Sequence, residues 1–248
     1  MYKVECRKLI ASPFFLLSVI ALYFVILLGI RDFYPENEIS SMLETGMGRI
    51  GLTSLPFLTT MPTAWFASEE TICTHYYQLI RSNLKSFING KLISSLLSSI
   101  LIVLSSTFIY TLTMILTGHP IGDGRFSYEG TNLLLLKHLV ENNHYWLHYM
   151  CHILVFSVIA TLSPWISLIA STFTKNRYII FLAPFVVIRF LDVFGDLTGY
   201  FWIKPSHYRL SGTNIYELGM LGTFLYAFCL AICQLIYRYC IRRKLRNG

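Results

Sequence analysis

Charge is scarce in this chain. Only 13% of its 248 residues are Asp, Glu, Lys or Arg, whereas 54% are hydrophobic. Soluble domains commonly carry about 25% charged residues, and a chain this poor in charge could not cover its own surface, which argues against a soluble globular domain. The apolar residues also fall into blocks of about twenty, the length that crosses a bilayer core as a helix. The composition therefore predicts a polytopic membrane protein.

Several sequence motifs of catalysis and metal binding are also missing. "NGKL" at Asn89–Leu92 has the Gly-Lys pair of a P-loop, but it lacks the earlier Gly and the following Ser or Thr, so the chain cannot hydrolyse ATP by that route. No H-E-x-x-H and no Cys-x-x-Cys occurs. A disulfide framework is not expected either, because none of the cysteines falls in the polar loops predicted to face outward.

Six apolar segments predict six membrane-spanning helices in an all-α fold of a single transmembrane domain. They are Phe14–Ile30, Ile50–Ala67, Leu92–Thr117, Leu147–Phe173, Tyr178–Gly195 and Tyr216–Tyr237. Helices are expected rather than barrel strands, because the runs are continuously apolar and do not alternate. Prolines within these runs are predicted to kink the spans, namely Pro56, Pro62, Pro164 and Pro184. The first span is expected to be retained, since "RDFYPENE" follows it without a small-residue cleavage pattern.

The distribution of basic residues predicts that both termini face the cytoplasm, because loops rich in Lys and Arg stay on that side. In this topology the N-terminus, the segment between spans two and three, the segment near Arg177 and the C-terminus lie inside. They hold most of the basic residues, whereas most acidic residues fall outside. The net charge of +7 is then explained by contact with anionic lipid headgroups, and a nucleic-acid partner is not expected.

A charged, half-amphipathic segment separates spans two and three. It reads "EETICTHYYQLIRSNLKSFINGK", from Glu69 to Lys91. Ile72, Tyr76 and Leu79 recur at i, i+4 and i+7, which predicts a short helix with one apolar stripe on the cytoplasmic face. Two interpretations remain open: an amphipathic connector resting on headgroups, or a docking element that a moving partner presses.

The order of these features resembles the membrane subunit of ABC transporters of the ABC type-2 permease family. A basic stretch with "RKLIASPFF" precedes two spans, "EE…T" then leads through a short helix to a Lys, and four further spans follow. The resemblance implies an interfacial elbow helix over Tyr2–Pro13 and a coupling helix after span two. Residues matched to the coupling helix and its flanks are Glu69, Glu70, Thr74, Tyr76, Leu79, Arg81, Lys85 and Lys91, and those of the elbow are Lys3, Arg7 and Lys8.

The resemblance also implies partners and a location. The coupling helix would seat on an ATPase subunit, present in two copies, which binds the ATP and Mg, and this chain would hold no cofactor and no metal of its own. A second permease subunit, identical or paralogous, would complete the pathway in the bacterial plasma (cytoplasmic) membrane. The implied activity is export of an amphiphilic peptide, an antimicrobial or a drug, and the chain itself is then not an enzyme.

Two further classes stay open. An intramembrane hydrolase of the E-E-x-x-x-R type would use Glu69 and Glu70, but Thr74 stands where the Arg is needed. His144, His148 and His152 share one helical face but fall on the opposite side in the predicted topology, so one site cannot use both sets. Those histidines are interpreted as a wet interfacial helix face, with a separate metal site of their own as the less favoured alternative. The other class is a non-transporting membrane immunity or scaffold protein.

Charged residues also occur within the fifth predicted span. Arg189, Asp192 and Asp196 follow at i, i+3 and i+7, and charges inside a span are costly and often functional. The spacing favours an intramembrane ion pair between Arg189 and Asp192 near the outer end of the span; an Arg189 that extends outward to the interface and a substrate contact are the alternatives.

Overall fold

The computed structural model describes residues 2–30, 38–47, 52–69, 84–121, 142–200 and 219–247. In this part of the chain the regular structure is helical and no strand occurs, as the sequence predicts. The helices are α1 (Tyr2–Ile10), α2 (Pro13–Ile30), α3 (Ile39–Gly46), α4 (Leu52–Glu69), α5 (Leu84–Leu116), α6 (Tyr145–Ile159), α7 (Leu162–Phe173), α8 (Arg177–Thr198) and α9 (Gly219–Asn247).

Three of the described helices, α2, α5 and α8, are long and apolar enough to cross a membrane. They correspond to the first, third and fifth predicted spans. The helix α5 begins at Leu84, before the predicted start at Leu92, so the third span continues a helix that starts among charged residues. The helices α4 and α9 overlap the second and sixth predicted spans, which remain predictions as membrane spans.

The fourth predicted span, Leu147–Phe173, is not one continuous helix. The helix α6 ends at Ile159 and α7 starts at Leu162, so the helix is interrupted at Ala160 and Thr161. Pro164 gives the physical reason, because its ring lacks an N–H and clashes with the carbonyl four residues earlier, that of Ala160. In the first turn of α7 the missing N–H costs nothing, since it would have no partner within the helix.

The break between α1 and α2 is capped by Ser12. Its hydroxyl donates to the carbonyl oxygen of Leu9 at 2.7 Å and accepts from the backbone N–H of Phe15 at 3.1 Å. Pro13 follows as the first residue of α2, where its fixed φ suits a helix start. This local sequence ends one helix and starts the next within two residues, which sets the angle between α1 and α2.

The helix α5 is the central element of the bundle. It packs against α1 near its start, against α2 along its middle and against α6 near its end, while α4 packs on α2, α7 and α8. One apolar core forms around Leu22, Ile26 and Ile102, and a second forms around Phe87 and Trp165. The outward faces are apolar too: large exposed hydrophobic side chains occur on α2, α5 and α8. This exposed apolar surface fits lipid contact.

Two glycines let α2 and α3 approach closely. A Cβ added to Gly29 would lie 2.7 Å from the Cα of Gly46, and one added to Gly46 would lie 2.8 Å from the carbonyl oxygen of Ile26. Both obstacles are backbone atoms, so a side chain cannot be accommodated by a rotamer change. Small residues serve the same purpose where membrane helices pack backbone to backbone.

Candidate functional site

A buried ion pair joins α1 to α5. The Nζ of Lys91 donates to Oε2 of Glu5 at 2.7 Å, and the two side chains are only 7% and 8% exposed. The ammonium of Lys8, which is 47% exposed, lies 3.7 Å from the other carboxylate oxygen of Glu5. Two buried charges lose several kcal/mol of hydration each, so they persist only as a pair. The pair therefore fixes α1 at one position along α5.

The same end of the bundle holds a second cluster of charged and aromatic side chains. The guanidinium of Arg177 lies 3.6 Å from Oε1 of Glu69 and 4.2 Å from the ring centroid of Trp65. Trp65 in turn stacks on Phe14, with ring centroids 4.1 Å apart. The cluster links the end of α4 to the starts of α2 and α8.

The C-terminal helix reaches this end as well. A guanidinium nitrogen of Arg238 donates to Oδ1 of Asn89 at 3.1 Å, close to Lys91 on α5. The N-terminal helix, the flanks of the 70–83 segment, the start of α8 and part of α9 are thus gathered at one end. These are the segments whose basic residues predict a cytoplasmic location.

A cavity of about 280 Å³ opens between α1, α4 and α5 at this end. Its lining includes four charged side chains, Glu5, Lys8, Glu69 and Lys91, and also the hydroxyl-bearing Thr63, Ser94 and Ser95. Leu9, Phe66, Ala67 and Leu168 complete the lining with apolar groups. The recess can therefore hold a small group that carries charge and adjoins an apolar part.

Five buried hydroxyl groups without a described partner lie on the helices around and beyond this cavity. Thr60, Thr63, Ser98, Ser163 and Ser167 have fully buried Oγ atoms with no hydrogen-bond partner in the described part of the chain. They lie on α4, α5 and α7, which contact one another. A hydroxyl buried without a partner costs about 1–3 kcal/mol, so these helices pack less favourably than a wholly apolar interface would.

The opposite end of α5 is held by hydroxyl hydrogen bonds. Thr111 and Tyr149 share one at 2.6 Å, between α5 and α6, and both are almost fully buried. The backbone N–H of Ile39 donates to the carbonyl oxygen of Pro120 at 2.9 Å, which ties the start of α3 to the residues that follow α5. The two ends of α5 are thus anchored by different chemistry, charge at one and hydroxyls at the other.

Cys6, beside the ion pair on α1, is partly buried. Burial in the first place, and the charge of Glu5 in the second, raise the pKa of its thiol above the ordinary value. Since only the thiolate attacks alkylating reagents, docking of α1 makes this cysteine slow to react.

The predicted coupling and elbow residues fall only partly within the described chain. Glu69 is the last residue of α4 and Lys85 lies exposed in the first turn of α5. Lys3, Arg7 and Lys8 are exposed on α1. Glu70, Thr74, Tyr76, Leu79 and Arg81 lie outside the described residues. Of the predicted residues the structure brings together Glu69, Lys8 and Lys91 around one cavity.

The other predicted positions lie apart from this cavity. Arg189 is exposed on α8, with its guanidinium 5.6 Å from the ring centroid of Phe185, and Asp192 is buried one turn further. The ion pair between Arg189 and Asp192 remains a prediction. His144 is exposed just before α6, and the side chains of His148 and His152 on α6 lie outside what the structure describes.

Glu5 and Arg177 have roles at this end that sequence reasoning missed. Glu5 is an acidic residue in an otherwise basic N-terminal stretch, and this reversal of charge is the one local signal that it faces inward. Its partner Lys91 is 86 residues away, so no local pattern could identify the pair. Comparisons of the chain with protein-family models, with characterised proteins and with solved structures found no match.

Proposed function

We propose that this chain is the permease subunit of an ATP-driven ABC exporter. In this proposal six spans cross the plasma membrane, both termini face the cytoplasm, and two permease subunits, identical or paralogous, form the pathway. Each seats on an ATPase subunit that binds ATP and Mg. The cargo is an amphiphilic peptide, an antimicrobial or a drug.

The observation that carries the proposal is the position of α1 beside the two ends of the 70–83 connection. The helix α4 ends at Glu69 and α5 starts at Leu84, and both helices line the cavity with α1. A partner that presses on the connection would therefore push on the base of α5, the longest described helix. A helix loaded at one end is a simple lever, which suits a bundle that must alternate between two states.

Copurification tests the class of protein directly. The tagged full-length chain is extracted in mild detergent and the copurifying chains are identified by mass spectrometry. We expect a stoichiometric ATPase subunit that carries a P-loop. A chain that purifies alone under several gentle conditions would contradict the exporter and favour the intramembrane hydrolase or the immunity or scaffold protein.

Charge reversal at Glu69 and Glu70 tests the coupling role. The double variant should hydrolyse ATP in its complex without moving cargo, because the docking contact is disturbed and the helices are not. The measurement compares ATPase rate and cargo efflux in proteoliposomes. Glu141→Lys, in the predicted outer loop, is the matched control and should keep both activities. Wild-type efflux in the double variant would refute the coupling assignment.

A further inference from the structure

The cavity beside α1 carries charges of both signs on different helices. Lys8 contributes an ammonium from α1 and Glu69 contributes a carboxylate from α4, and these side chains are 47% and 45% exposed. Deeper in, Glu5 and Lys91 neutralise each other at 2.7 Å. The charges that remain accessible to a ligand are therefore one cation and one anion.

The contacts of these two side chains leave them able to bind a ligand. Glu69 lies 3.6 Å from Arg177, and Lys8 lies 3.7 Å from Glu5. Both separations are longer than a charge-assisted hydrogen bond, which measures about 2.7–2.9 Å. An ammonium brought to Glu69, or a phosphate brought to Lys8, would make a shorter and stronger contact.

From this geometry we propose that the cavity binds the headgroup of one zwitterionic phospholipid with a primary ammonium, such as phosphatidylethanolamine. Its phosphate contacts Lys8, and its ammonium contacts Glu69. Its glycerol and the first methylenes lie against Leu9 and Phe66, which line the same recess.

The location of the cavity favours a lipid over a soluble ligand. The helix α1 exposes the apolar Val4 and Ile10 together with basic residues, the pattern of a helix lying in the headgroup layer. The apolar helix α2 starts at Pro13, three residues after α1 ends. The cavity therefore lies at the depth of lipid headgroups when α2 crosses the membrane, which places lipid headgroups next to it.

Native mass spectrometry with short-chain lipids tests the site. The full-length protein in detergent is titrated with dihexanoyl phosphatidylethanolamine, dihexanoyl phosphatidylglycerol, O-phosphoethanolamine and inorganic phosphate. We expect one saturable phosphatidylethanolamine per chain and weaker binding of the other three probes. Lys8→Gln and Glu69→Gln should each weaken it about tenfold, the effect of losing one charge-assisted hydrogen bond. Lys3→Gln and Lys85→Gln, also exposed on α1 and α5, are the matched controls and should not change binding.

Three results would overturn the proposal. Wild-type affinity in both Lys8→Gln and Glu69→Gln would show that the cavity is not the site. Binding of phosphatidylglycerol with the same affinity as phosphatidylethanolamine would show that the ammonium does not contribute to recognition. Equal binding of O-phosphoethanolamine would show that a soluble headgroup, not a lipid, is the ligand. No ATPase takes part in this assay, so its outcome is independent of the exporter proposal.

Discussion

Replacing Lys91 with Met removes the partner of a buried carboxylate while largely keeping the shape of the side chain. The attraction between Glu5 and Lys91 at 2.7 Å is about 6 kcal/mol at an effective dielectric constant of 20. Bringing the two ions out of water costs several kcal/mol each, so the pair contributes little net stability. In Lys91→Met the carboxylate of Glu5 still loses its hydration when α1 docks, but it no longer gains the attraction to the Lys91 ammonium. We therefore expect it to weaken the docking of α1 on α5 by about 3–5 kcal/mol.

Alkylation of Cys6 measures this docking. The assay uses a variant in which Cys6 is the only cysteine, treated with a maleimide and followed by mass. When α1 leaves α5 the thiol becomes exposed and its pKa falls toward the ordinary value, because both causes of the raised pKa weaken. Because Cys6 is only partly buried and also reacts with α1 docked, Lys91→Met should speed the reaction at pH 7 severalfold, less than the tenfold per about 1.4 kcal/mol of lost docking that a fully buried thiol would show. The rate-against-pH profile should also move to lower pH.

Two comparisons make the result specific to the ion pair. Lys85→Met removes an exposed lysine from the same helix and should leave the rate unchanged. Glu5→Gln added to Lys91→Met replaces the buried charge by a neutral amide and should restore most of the slow reaction, since a buried pair can be replaced by neutral groups at little cost. Equal alkylation rates in Lys91→Met and the wild type would refute the argument that this pair holds α1.

Further variants test other parts of the structure. Gly29→Ala should lower the free energy of unfolding by about 1–3 kcal/mol because its Cβ meets the backbone of α3, whereas Leu28→Ala, lipid-facing, should matter less in a denaturant titration. Thr111→Val should cost about 1–3 kcal/mol by leaving the buried Tyr149 hydroxyl unpaired. Tyr149→Phe should cost less, since the Thr111 hydroxyl keeps its bond to its own helix; equal losses would contradict this. Glu69→Gln should leave the thermal midpoint unchanged, because its ion pair is half exposed.

The long apolar helices were predictable because their signal is local. The run Phe14–Ile30 contains no charged residue and Ser18 is a single small polar residue within it, and α2 has nearly the same bounds. The break between α6 and α7 was not predictable from hydropathy, since the residues on both sides are equally apolar. Pro56 and Pro62 lie inside α4 and Pro184 inside α8, while Pro164 marks a new helix. Proline alone therefore does not tell a tolerated position from a helix start.

The candidate site was predictable only in part. Positive charge on the predicted inner segments indicated that Lys8, Lys91 and the start of α8 share one end of the bundle, because segments rich in Lys and Arg stay on the cytoplasmic side. The partner of each charge could not be predicted, since Glu5 meets Lys91 only after α1 packs on α5. Thr63 gave no signal at all: a hydroxyl in an apolar run is ordinary, and only the packed bundle leaves it without a partner.

The two anchors on α5 have a mechanical consequence. Lys91 and Thr111 are separated along the helix by about 30 Å at 1.5 Å per residue, and each is bonded to a different neighbouring helix. A tilt of about 10° around the midpoint would move each anchor by about 2.6 Å, enough to break a hydrogen bond. The helix α5 therefore cannot tilt while α1 and α6 stay still. The three helices must therefore move together, and any motion relative to the rest of the bundle takes place where they meet α2, α4 and α7.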